Sequence, residues 1–119
     1  MIEDKSQAKR EQLQKKIIQL ENQEDNLLTL KKRYEKQVMD FRTDFLALNA
    51  QIENLIDSLS DTNPTNHKIL EENKAMQQGV DSYVEQELDN VSKKTKKVQQ
   101  KLVENREKLI KERNSLPWE

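Results

Sequence analysis

The sequence predicts an all-α fold: two long helices folded back on each other as an antiparallel, coiled-coil-like hairpin. Three observations carry this. Charged residues make up 36% of the 119-residue chain, with one glycine and two prolines. Chain reversals lean on Gly, Pro, Asn and Asp, so few reversals fit, and the abundance of Glu, Lys, Gln and Leu suits long helix. An apolar repeat with alternating steps of four and three runs through the first half. The single cluster of turn-forming residues, Asp61-Thr62-Asn63-Pro64-Thr65-Asn66, falls near the middle.

The first helix is expected over about residues 3–60. Its seam reads Leu13, Ile17, Leu20, Glu24, Leu27, Lys31, Tyr34, Val38, Phe41, Phe45, Leu48, Ile52, Leu55 and Leu59, and twelve of these fourteen seats are apolar. A 3.5-residue repeat held this long means one continuous helix, roughly 85 Å from end to end, with a stripe that needs a partner. Glu24 and Lys31 interrupt the stripe one heptad apart, either to fix register or as fraying toward solvent.

The hinge is expected at 61–66, with Asn63 able to cap a second helix and Pro64 suited to its first position. So short a link favours antiparallel neighbours. The second helix is expected over about 64–114. Its seam is poorer: Leu70, Met76, Val80, Val84, Leu88, Val91, Thr95, Val98, Leu102, Asn105, Leu109, Glu112 and Leu116. Gly79 falls where its phase slips, marking a bend, a close helix approach or a tolerated accident. Pro117 ends the helix within a short tail, 115–119. The whole chain, 1–119, reads as one hairpin domain.

The composition excludes much chemistry. The 21 basic and 22 acidic residues nearly cancel, to a net charge of −1, so no overall field draws the chain to nucleic acid or to an anionic membrane. There is no cysteine, hence no disulfide and no thiolate metal site. His67 is the lone histidine, expected solvated on the first turn of the second helix. One glycine cannot build a phosphate loop, and no pair of carboxylates is placed in a dry pocket for acid–base work. No catalytic residue, cofactor site or metal site is expected, and the chain is read as a non-enzyme. The run Lys93-Lys94-Thr95-Lys96-Lys97 with Lys101 points around the helix and lacks interleaved aromatics, which favours a solvated surface over a phosphate stripe. No apolar run reaches the roughly 18 residues of a membrane span. The start, Met-Ile-Glu-Asp-Lys-Ser-Gln, lacks the apolar core of a signal peptide, so a cytoplasmic location is expected, with co-export alongside a partner left open.

The informative feature is an excess of apolar surface. Besides the seam, the first helix carries Leu28, Met39 and Leu46, which fall within a narrow arc about a third of a turn away. One apolar direction meets the second helix, and the other wants a further partner. Leu28, Met39 and Leu46 are therefore candidate partner-binding residues. Phe41 and Phe45, one turn apart, either pack within the hairpin or anchor a partner helix. Trp118 on the tail is expected to dock on a partner or back onto the hairpin.

The size, the long polar first helix, the Asn63-Pro64 hinge and the ending Leu116-Pro117-Trp118-Glu119 resemble the small helical targeting factors, or chaperones, of LXG-domain toxins. Those toxins leave Gram-positive bacteria by the type VII (VIIb) secretion system. In outline the chain is also similar to WXG100-type secreted hairpins, though its hinge has no Trp-x-Gly. The nearest match to a Tyr-x-x-x-Asp/Glu export signal, Tyr83-Val84-Glu85-Gln86-Glu87, lies inside the second helix. The resemblance implies a non-enzymatic adaptor that lays an apolar face along the helical N-terminal LXG domain of a toxin, joined by a second small hairpin protein, and promotes export. The alternative is a homo-oligomeric structural coiled coil, which the seam explains equally well and which requires no foreign partner.

Overall fold

A computed structural model describes residues 5–59 and 64–117. They form two α-helices, α1 (Lys5–Ser58) and α2 (Pro64–Ser115), and no strand occurs among the described residues. The chain is an antiparallel helical hairpin, as the composition and the apolar repeat require. Residues 61–63 of the expected hinge lie outside the described residues, and with them the expected cap, Asn63. Pro64 does open α2, where its fixed φ fits and its missing N–H costs nothing.

The helix ends show how short polar side chains satisfy orphan carbonyls. The Ser58 hydroxyl donates to the Leu55 carbonyl at 2.7 Å, and the Leu59 N–H donates to the Ile56 carbonyl at 3.2 Å. At the far end the Ser115 hydroxyl donates to the Glu112 carbonyl at 2.8 Å. The Leu116 N–H reaches Arg113 at 3.4 Å before Pro117 stops the helix.

The hairpin divides into two compact units. The terminal unit takes the chain up to residue 32 and from residue 92 onward, and the central unit is Arg33–Val91. In the terminal unit Leu13 and Ile17 of α1 are buried along with Thr95 of α2. Around them Leu20, Leu27, Leu102 and Leu109 are half-buried. Cross-helix contacts run in opposite directions along the two helices. Arg10 donates to the Pro117 carbonyl at 2.8 Å, Arg113 donates to Gln14, and Arg106 Nε donates to Glu24 Oε1 at 3.2 Å. Glu24 is thus a paired seam residue, its side chain 18% exposed, and fixes register instead of fraying into water.

In the central unit Val38 and Val84 are buried, Val84 completely. Here the interface departs from the 3.5-residue seam. On α1 it runs Tyr34, Val38, Arg42, Phe45, Asn49, Ile52 and Ile56, all buried or half-buried. Phe41, Leu48, Leu55 and Leu59, expected as seam seats, are exposed instead. The reason lies in helix geometry. A helix of 3.6 residues per turn drifts about 20° per heptad from a strict 3.5 repeat. The observed steps of four, four, three, four, three and four keep pace with the helix, so Val38, Phe45 and Ile52 stay inside while the other row of the heptad stripe, Phe41, Leu48 and Leu55, turns out toward solvent.

Gly79 also has an answer. It sits within α2, and a Cβ built there would meet nothing within 4 Å. Among the described residues no close approach calls for glycine. Gly79→Ala is therefore expected to stabilise the fold by about 0.5–1 kcal/mol, read as a raised midpoint in urea unfolding.

Candidate protein-docking face

In the central unit polar contacts cross between the helices beside Val38, Phe45, Ile52, Ile56 and Val84. Tyr34 donates its phenol proton to Glu87 Oε2. Arg42 Nε lies 3.0 Å from Asp81 Oδ1. Asn49 Nδ2 donates to Gln77 Oε1 at 3.3 Å. Asn49 and Asn73 are both buried, and Asn73 Nδ2 has no hydrogen-bond partner among the described residues. Polar groups inside a helix pair bind weakly but penalise every register except the one that pairs them.

Large apolar side chains lie outside that polar seam. On α1 the exposed stripe is Phe41, Leu48 and Leu55; on α2 it is Ile69, Met76 and Tyr83. Each stripe has heptad spacing, and the two run antiparallel. The rings of Phe41 and Tyr83 meet edge to face with centroids 6.3 Å apart, which fixes the level of the first layer. Moving seven residues along each helix places Leu48 beside Met76, and a further seven places Leu55 beside Ile69. The result is one face of three apolar layers, its members between 36% and 67% exposed, with Leu59, at 64%, beyond the last. The opposite flank of α2 is polar: Glu71, Lys74, Gln78 and Glu85 are all exposed there.

The residues singled out from sequence are distributed as follows. Phe41 belongs to the face. Phe45 is half-buried in the interface between the helices. Met39 is exposed and Leu46 half-buried. Both stand on the far side of the interface from the exposed stripe, since Met39 is two positions from Phe41 and Leu46 two from Leu48, a turn of about 200° in each case. Leu28 is exposed but belongs to the terminal unit. Trp118 lies outside the described residues. Leu48, Leu55, Ile69, Met76 and Tyr83 of this exposed face were not singled out from sequence as candidates. Their signal was the shared seven-residue spacing of two stripes that lie level across an antiparallel pair.

Among the described residues no group of His, Asp and Glu side chains is placed to hold a metal ion, and no helix is long and apolar enough to cross a membrane. His67 is exposed beside Glu71, its Nε2 3.3 Å from the carboxylate. Lys94, Lys96, Lys97 and Lys101 are exposed on α2. The arrangement supports docking of protein surfaces through apolar burial.

Two measurements probe the polar seam. The hydrogen bond to Glu87, then burial and the Glu87 charge, hold the Tyr34 phenol above its ordinary pKa of 10.0. Folding favours the protonated phenol, so this contribution to stability is complete below pH 10 and is lost as pH rises through the raised value. In an alkaline absorbance titration the component that disappears in Tyr34→Phe should ionise later than free tyrosine, and Glu87→Gln should return it toward 10.0. Asn73→Leu, which removes a buried donor without a partner, should raise the unfolding free energy by about 1 kcal/mol at fixed protein concentration.

No family model, characterised protein or solved structure matches this chain.

Proposed function

We propose that this chain is a non-enzymatic helical adaptor, a chaperone that binds the helices of a larger protein through the apolar face of its central unit. The observation that supports this is the three-layer stripe Phe41/Tyr83, Leu48/Met76 and Leu55/Ile69 standing outside a helix–helix seam that mixes polar and apolar residues. Apolar side chains that the hairpin could have used to hold itself together are turned outward. A contiguous patch of this kind drives association, because each such side chain gains roughly 1.5–3 kcal/mol when fully buried. An amphipathic helix or helix pair with apolar residues on one side fits a two-helix face of this width.

The finer reading takes the client from the sequence resemblance. The client is the helical N-terminal LXG domain of a toxin exported by a type VII secretion system, a second small hairpin completes the complex, and binding takes place in the cytoplasm before export. Covering apolar client helices would keep them from aggregating and would present a composite surface to the export machinery.

Tagged chain should be recovered from extracts of its native cells and the bound proteins identified. The expected result is a stoichiometric large protein with a helical N-terminal domain, whose capture falls about tenfold or more in Leu48→Lys and Met76→Lys while circular dichroism is unchanged. Recovery of no such protein, or capture indifferent to both substitutions, would overturn the adaptor reading.

A further inference from the structure

We infer that, without a client, the face of the central unit is covered by a second copy of this chain, so that two hairpins form a four-helix bundle. This goes beyond the adaptor reading and does not depend on it. Three observations carry the inference: the extent of the face, the fit of its layers to themselves, and the character of its rim.

Extent comes first. Phe41, Leu48, Leu55, Leu59, Met76 and Tyr83 are each about half exposed or more, and Ile69 over a third. At roughly 100 Å² of exposed side chain apiece they offer about 600–700 Å², at or above the largest patch that monomers ordinarily leave open. With the polar rim included, the face approaches the ~800 Å² per partner of a stable interface. A single client helix would cover one groove, whereas a second hairpin matches both stripes at once.

The layers are also self-complementary. A two-fold axis crossing the helices at the Leu48/Met76 layer lays α1 on α1 and α2 on α2, antiparallel in both cases. The middle layer then meets itself. The aromatic pair Phe41/Tyr83 of each copy meets the smaller Leu55/Ile69 pair of the other. Large against small keeps the volume of each layer even, as a packed bundle core requires. In that arrangement the rim acids Asp40 and Asp44, both exposed, come opposite the neutral, exposed Ser58 and Gln51 of the second copy. No like charges are forced together at these positions, and no charged residue interrupts either stripe.

The test uses the full chain, purified alone. Sedimentation at about 100 μM, where a dimer of micromolar affinity is well populated, should give a species of twice the 14.1 kDa chain mass. Leu48→Lys and Met76→Lys should each weaken the dimer about tenfold or more with helicity retained, while Met39→Lys, on the other side of the helix interface, should leave it unchanged. Because the chain has no cysteine, Leu48→Cys gives a second readout that does not depend on a disruptive variant. A mild oxidant should link two copies through that position at the axis, and should not link Met39→Cys. A monomeric wild-type chain, a dimer untouched by both stripe lysines, or preferential cross-linking through Met39→Cys would each overturn the inference. Client capture is measured separately, so either result leaves the adaptor reading to stand or fall by its own experiment.

Discussion

Two helices packed side by side shelter only one narrow stripe of each from water. Everything else about this chain depends on that constraint. Over 54 and 52 residues, α1 and α2 carry more large apolar side chains than one shared stripe can take. The interface therefore has to choose among them. In the central unit it takes Val38, Phe45, Ile52, Ile56 and Val84 together with a series of polar residues, and leaves Phe41, Leu48, Leu55, Ile69, Met76 and Tyr83 outside. Burying the apolar set between α1 and α2 would give the stronger pair in isolation. The arrangement present gives a weaker pair with a cohesive outer surface.

The polar seam makes that arrangement specific. Arg42 with Asp81, and Asn49 with Gln77, each make sense in one register only. Sliding one helix by a turn would strand a charge or an amide in a partly dry interface, at a cost well above the small net gain of the bonds themselves. The terminal unit uses the same device more sparingly, with Arg106 and Glu24 beside a seam that holds Leu13 and Ile17. Exposed pairs such as Lys9 with Glu112, 3.9 Å apart, add little.

The fold was legible because it follows from composition and periodicity. A chain with one glycine, one cluster of turn formers and a sustained apolar repeat has few alternatives to a helical hairpin. The exposed apolar face was legible only in part. Phe41 was recognised as a candidate anchor, but Leu48 and Leu55 read as interior because they continue a 3.5-residue seam. The choice between a seam that follows the sequence repeat and one that follows the helix turn depends on whether the pair supercoils, which periodicity alone does not decide. Ile69, Met76 and Tyr83 became meaningful only once the level of α2 against α1 was known, because a face built from two helices has no signature in either one. Glu24 could be read two ways until its partner, 82 positions away, was in view.

The sidedness of α2 limits how far any assembly can grow. Its one apolar flank is used up by the first surface that docks there. The other flank presents Glu71, Lys74, Gln78 and Glu85, which offer a second layer nothing to bury. A helix sticky all round would recruit neighbours without end and lead to filaments or aggregates. A helix sticky on one side reaches saturation, so a surface docked on that flank would leave α2 nothing to offer a second layer, and the limit would be written into the residues that do not bind.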